Sequence, residues 1–266
     1  MIASAPASYK IRALQKSCVV IAMLALVGCS TTSKDKMTTG SVPKVSTPAD
    51  ELNTADLASR TAALGKAYDA NPKDRNIGVN YANALRASGR DAQSLAVMQQ
   101  IAIANPNDRG VLAAYGKAQA AAGQLDMALA TIGRAQTPDR PDWRLVSAQG
   151  AILDQMGRND EARQLYTQAL LIAPEEASVE ANFGLSYAMT NDLTSAEQHL
   201  RRAVSMRGAT SQIRQNLALV LGLQGRFDEC KAIYAAELPP EQVESNMAYV
   251  RALLTQQNRW DMIENG

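Results

Sequence analysis

Gly89, Gly123, Gly157, Asn191 and Gly225 follow one another at steps of 34 residues. Only 16 of the 266 residues are glycine, and Gly and Asn are the residue types that best accept a left-handed backbone. An even series of five therefore marks one turn repeated five times. A unit of that length cannot bury its apolar face alone, so it must stack on its neighbours.

Setting each periodic residue at the turn between two helices aligns the rest. Seven residues earlier stand Ala82, Gly116, Gly150, Gly184 and Ala218; five residues later stand Ser94, Ala128, Ala162, Ala196 and Cys230. All are small, as close approach of two helix axes requires. Tyr81, Tyr115, Phe183 and Leu217 precede the first small position and are predicted to fill the space between helices, with Gln149 as the departure. Met98, Ile132, Tyr166, Leu200 and Tyr234 follow the second small position by four residues and are predicted to close the core. Three residues after the turn, Asp126, Asp160, Thr194 and Asp228 are expected to cap the second helix, Thr194 forming a capping box with Glu197. Asn71-Pro72, Asn105-Pro106, Ala173-Pro174 and Pro239-Pro240 end second helices, because proline cannot continue them.

This repeat resembles the tetratricopeptide (TPR) pattern, which implies an all-α solenoid of helix–turn–helix units wound as a right-handed superhelix. Five units are predicted over 75–240, at 75–108, 109–142, 143–176, 177–210 and 211–240. Residues 51–71 form a lone helix packing on the first unit. Residues 241–257 form a capping helix whose apolar face is Val243, Met247, Val250 and Leu254, followed by a tail at 258–266. In stacked TPR units the first helices line a concave groove. That places Asn80, Asn83, Lys117, Arg144, Ser147, Asn182, Leu185, Gln215, Asn216 and Leu219 as groove candidates for binding a protein partner. The set is polar and rich in amides, suited to an extended or helical peptide.

The N-terminus bears on location. Lys10, Arg12 and Lys16 precede the ten-residue apolar run Cys18 to Val27, which is too short to span a bilayer and suits a signal peptide over 1–28. Leu26-Val27-Gly28-Cys29 resembles the lipobox of bacterial lipoproteins, which implies lipidation of Cys29 after cleavage. Ser30 in place of Asp implies the outer membrane, facing the periplasm. Residues 29–50 are rich in Ser, Thr, Pro and Lys and read as a flexible tether, with a reach of about 25 Å. Cleavage removes three basic residues and no acid, so the formal charge of +1 falls to about −2. No basic stripe points to nucleic acid. Cys230 is left without a partner for a disulfide.

Catalytic chemistry finds little support. His199 is the only histidine, and Cys230 occupies a position that wants a small buried side chain. Gly110, Gly116 and Lys117 resemble a phosphate loop faintly, but the spacing is one residue too long and Ala118 replaces the hydroxyl that would hold Mg²⁺. The expectation is a non-enzyme with no cofactor, metal or small-molecule substrate.

The lipobox, the tether, the five units, the stretch Asn216-Leu-Ala-Leu-Val-Leu-Gly-Leu-Gln-Gly-Arg-Phe-Asp-Glu229 and the tail Asn246-Met-Ala-Tyr-Val-Arg-Ala-Leu-Leu254 together resemble the TadD family. These are TPR lipoproteins of the tight-adherence (Flp) pilus machinery. The resemblance implies a pilotin-like assembly factor whose partner is a secretin subunit or another pilus component. A type IV pilotin or an adaptor for cell-wall hydrolases would share fold and anchor and stands as the alternative.

Overall fold

The computed structural model describes the chain from residue 48 to 265, Pro138 and Arg140 excepted, with side chains within 55–255. The expected signal segment, Cys29 and the tether as far as residue 47 lie outside the described residues. Among those described, twelve helices follow in order. A leading helix, α1 (Pro48–Ala70), is followed by five pairs: α2 (Arg75–Ala87) with α3 (Asp91–Ala104), α4 (Arg109–Ala121) with α5 (Leu125–Ala135), α6 (Trp143–Gln155) with α7 (Asn159–Ile172), α8 (Ala177–Met189) with α9 (Leu193–Ser205), and α10 (Ser211–Leu223) with α11 (Phe227–Glu237). The last helix is α12 (Pro240–Asn265).

The turns are where the period placed them. Gly89, Gly123, Gly157 and Gly225 have φ of 70°, 78°, 75° and 80°, and Asn191 has 61°, alone in the left-handed region among described non-glycine residues. Each ends a first helix by letting the chain reverse within two residues. Four of the five first helices start on side-chain caps that keep the same period, Glu176 before α8 being the exception. Asp74, Asp108, Asp142 and Thr210 accept from the backbone N–H of Ile77, Val111, Arg144 and Ile213.

The second helices correct one expectation. They begin at Arg90, Gln124, Arg158, Asp192 and Arg226, and only Asp192 caps with its side chain, accepting from Ser195 N–H. Asp126, Asp160 and Asp228 lie inside the first turn, and Thr194 lies inside α9. The left-handed residue delivers the chain into the helix sooner than expected, so these acids act on the helix dipole rather than as caps.

Within each pair the two small positions face each other. A Cβ built on Gly184 would stand 3.0 Å from the Ala196 carbonyl and 2.9 Å from Leu200 Cγ; on Gly150 it would meet the Ala162 carbonyl at 3.2 Å and Tyr166 at 2.8 Å. In the first unit Ser94 fills that gap by donating its hydroxyl to the Ala82 carbonyl at 2.8 Å. Met98, Ile132, Tyr166, Leu200 and Tyr234 are all buried. Tyr81, Tyr115 and Phe183 are half-buried, and Leu217 is buried. Gln149 is accommodated because its amide passes Gly133, which offers it no side chain.

Both ends are covered. α1 packs on α2, with Tyr68 and Tyr81 ring centroids 5.5 Å apart and Thr61 buried against Ser88. α1 begins at Pro48 rather than residue 51, since proline suits the first helical position. α12 touches both α10 and α11, as a sixth first helix would. Val243, Met247 and Val250 are buried there, while Leu254 is half-buried. α12 continues to Asn265 through the stretch expected as a tail, because no Gly or Pro interrupts 241–265.

Candidate binding groove

Every first helix touches the first helix of the next unit, whereas no two second helices pack together to a comparable extent. The side carrying α2, α4, α6, α8 and α10 is therefore the tighter one, and those helices form the inner wall of the curve. Helix caps and one cross-unit ion pair line its edge. Arg75 forms a bidentate pair with Asp108 at 2.7 and 3.2 Å, tying the first unit to the second. That pair, with the Val111 N–H, keeps the Asp108 carboxyl below its usual pKa. Arg109 donates to the Ala135 carbonyl at 2.8 Å, closing the end of α5.

The groove candidates are placed unevenly. Asn80, Asn83, Lys117 and Arg144 are exposed. Asn182, Leu185, Gln215, Asn216 and Leu219 are half-buried. Ser147 is a correction: it is 6 % exposed and sits under α8, where the Asn182 amide reaches its hydroxyl at 3.4 Å. Its small side chain lets α8 close over it, so it does not present a surface. Gln215 donates to Ser211, and Gln212 donates to Asn216. Arg144 lies over the Trp143 ring with its guanidinium carbon 4.4 Å from the centroid.

An open depression of about 410 Å³ lies between α4 and α6, lined by Arg109, Gly110, Ala113, Pro141, Asp142, Trp143, Arg144 and Leu145. Of these, only Arg144 stands among the expected groove residues. The missed members stand at the starts of helices, next to the periodic caps Asp108 and Asp142, and that register is the signal that could have found them. Ala113 contributes a small side chain to the depression, while the space beside Gly110 is taken by the Arg75 guanidinium, 2.5 Å from where a Cβ would stand.

The inner wall is one-sided in charge. Its five helices carry Arg75, Arg86, Arg109, Lys117, Arg144 and Arg214, against two acids, Asp154 and Glu180. Both acids are turned inside, at 4 % and 1 % exposure. Asp154 accepts from Ser186 at 2.7 Å, Asn159 at 2.8 Å and Tyr166 at 2.9 Å, joining α6 to α7 and α8. Burial nevertheless raises its pKa above the usual carboxylate value. Glu180 lies 2.8 Å from His199 Nδ1 and 3.1 Å from Arg202, both on α9. His199 is also packed on Phe183 and Tyr187, with centroids 4.2 and 5.3 Å away. The sole histidine is thus the partner of a buried carboxyl group within one unit.

The remaining chemical candidates are absorbed by packing. Cys230 is buried, 3.6 Å from Met247 Sδ, and burial pushes its thiol pKa up to about 11. Gly110, Gly116 and Lys117 lie along α4, where Gly116 makes room for Ile132. Among the described residues no cluster of His, Cys, Asp or Glu could hold a metal ion, and no helix is long and apolar enough to cross a membrane.

The tetratricopeptide repeat pattern matches residues 147–176, the span of α6 and α7. No curated protein sequence matches the chain. A thermophilic TPR protein from Thermus thermophilus superposes with a TM-score of 0.59 at 24 % identity, covering 68 % of this chain and all of its own. A tetratricopeptide repeat protein from Parabacteroides merdae superposes with a TM-score of 0.65 at 13 % identity, covering 78 % of this chain and 80 % of its own. These likenesses establish the fold: the chain is an all-α TPR solenoid.

Proposed function

We propose that this chain is a non-enzymatic protein-binding scaffold, tethered through a lipidated Cys29 to the outer membrane and facing the periplasm, that assists assembly of a tight-adherence pilus in a pilotin-like manner. The observation that carries the binding role is the inner wall, a continuous surface of five first helices lined with amides and cations that the fold leaves open. A main chain laid along such a wall finds donors and acceptors at each step. The anchor rests on the lipobox-like Leu26-Val27-Gly28-Cys29. The pilus role rests on the likeness of 216–229 and 246–254 to the TadD family. In the fold these two stretches pack on one another, Gly222 against Val250, with Cys230, the next residue after the first stretch, against Met247. They build the closed C-terminal end, while Asn216 and Leu219 of the first stretch belong to α10 and remain groove candidates.

The mechanism is physical. A lipid anchor confines the solenoid to a surface and raises its effective concentration near membrane-bound partners. The wall then holds a segment of a secretin subunit until the oligomer forms. Deleting the gene and blotting for heat-resistant secretin multimers tests this reading, with loss of multimers expected. Unchanged multimers would refute the pilotin role. Cys29→Ser should leave the solenoid folded and abolish anchoring, and normal pili in that variant would refute the tethering.

A further inference from the structure

We infer that the wall of the first three units is selective for an acidic, extended segment of its protein partner, anchored at the depression between α4 and α6; this deepens the scaffold reading and rests on it. The five inner helices bear no exposed acidic side chain, while three of the second helices do, with Asp126 on α5, Asp160 and Glu161 on α7, and Asp228 and Glu229 on α11. The sorting is physical, not compositional, because the two acids that the inner helices do possess, Asp154 and Glu180, are buried and bonded within the fold. The carboxylates at the edge of the wall are engaged as well. Asp74 and Asp142 accept backbone N–H groups of Ile77 and Arg144, and Asp108 holds both Val111 N–H and Arg75.

The cations are engaged unequally. Arg75 and Arg214 are paired with Asp108 and Glu237. Lys117 and Arg144 are exposed and form no ion pair among the described residues; Arg144 rests on the Trp143 ring, which fixes its plane without neutralising it. Arg144 lines the depression together with Gly110 and Ala113, and Lys117 follows Ala113 by one helical turn on α4. Two cations without ion pairs beside an open depression fit a main chain carrying carboxylates, with charge-assisted hydrogen bonds to a planar guanidinium. The surplus of cations along the inner helices focuses the field and speeds capture, although Asp142 in the lining of the depression offsets part of it. The chain's own residues 30–47 are a poor occupant, because Lys34, Lys36 and Lys44 outnumber the single acid Asp35. Exposed Asn80 and Asn83 extend the surface with amides that suit a peptide backbone better than a phosphate chain.

The test is fluorescence anisotropy on the folded chain with a labelled dodecapeptide alternating Glu and Ser, its Gln–Ser counterpart and a single-stranded oligothymidylate. The Glu–Ser peptide is expected to bind about tenfold more tightly than the Gln–Ser peptide and to weaken with salt, one charge-assisted contact corresponding to roughly that factor. Lys117→Glu and Arg144→Glu should each weaken it about tenfold, and Lys66→Glu on the outer helix α1 should not. Circular dichroism melts confirm that the variants are folded. Equal binding of both peptides would overturn the acidic selectivity; if that binding were lost in Leu185→Lys, the groove itself would stand. Binding unaffected by Lys117→Glu and Arg144→Glu, or no binding of the Glu–Ser peptide at low salt, would overturn the proposed site. Tighter capture of the oligothymidylate would reassign the wall to nucleic acid.

Discussion

Tyr166 donates its hydroxyl to Asp154 at 2.9 Å from the helix opposite, in a place where neither side chain meets solvent. The bond crosses the third unit, and Ser186 extends it into the fourth. Burial raises the pKa of Asp154, while its three hydrogen bonds oppose that rise without cancelling it. A carboxyl whose folded pKa exceeds its unfolded value stabilises fully below the unfolded pKa and loses that contribution as pH rises through the folded one. Asp154→Asn can keep all three contacts, since its amide can donate to the Tyr166 oxygen. The variant is therefore expected to gain stability relative to the parent as pH rises from about 4, and to match or exceed it at neutral pH. Asp154→Ala should lose about 2–4 kcal/mol by stranding the donors. Urea midpoints across pH decide; a parent that gained on Asp154→Asn as pH rose would contradict the argument.

Two glycines should respond to alanine with opposite signs. Alanine for glycine favours a helix by about 0.5–1 kcal/mol when nothing obstructs the methyl. At Gly133 the new Cβ meets only the Gln149 amide at 3.6 Å, so Gly133→Ala should stabilise by about that amount. At Gly184 it meets a backbone carbonyl at 3.0 Å and Leu200 at 2.9 Å, neither able to retreat cheaply. Gly184→Ala should cost about 1–3 kcal/mol. Thermal melts that ranked them the other way would show that the helix pairs are looser than their geometry.

Asn191 stands at φ 61° in the fourth turn. Asn191→Ala should cost about 1–2 kcal/mol, because the methyl of an ordinary residue crowds the backbone there. Asn191→Gly should stay within about 0.5 kcal/mol of the parent, losing a little chain entropy and some strain together. Chemical denaturation of the two variants reads the difference directly, and equal stability of Asn191→Ala would refute it.

Asp108 has two tasks where Asp74 has one. Both cap a first helix, and Asp108 also holds Arg75 of the preceding unit. Losing either cap should cost about 1 kcal/mol, with a smaller addition at Asp108 because the pair is partly solvated. The lowered pKa of Asp108 comes first from Arg75 and then from Val111 N–H. Its contribution is therefore present above the unfolded carboxylate pKa and lost as pH falls through the folded one. Asp108→Asn should close the gap to the parent in acid, and a constant gap from pH 7 to pH 2 would count against the assignment.

Cys230 should be silent in the native protein. Its thiol is buried and its pKa lies near 11, so little thiolate exists at neutral pH. Labelling by iodoacetamide is expected to follow global unfolding across a urea series. Rapid labelling in native buffer would show that α12 opens from α10 and α11.

Much of this protein was legible without coordinates because its signals are local. A left-handed turn needs Gly or Asn at one position, and two close helices need small residues at two more, so Gly89 to Gly225 and Ala82 to Cys230 announced the units and the closed end. The inner wall was legible as a face, since a first helix repeats its outward positions with the same period. The fate of particular side chains was not. Ser147 was counted on that face but lies under Asn182, 35 residues away in sequence. Nothing in the sequence sets Asp154 and Glu180 apart, yet Ser186 and His199 hold them inside from 32 and 19 residues away. Whether a polar group faces water or a partner depends on what the neighbouring unit offers it, and one sequence does not state that offer. The period determined where the chain turns and where it stacks; the packing of one unit on the next decided which charges remain to meet another molecule, because burying a charge is tolerated only where the fold itself supplies the partner.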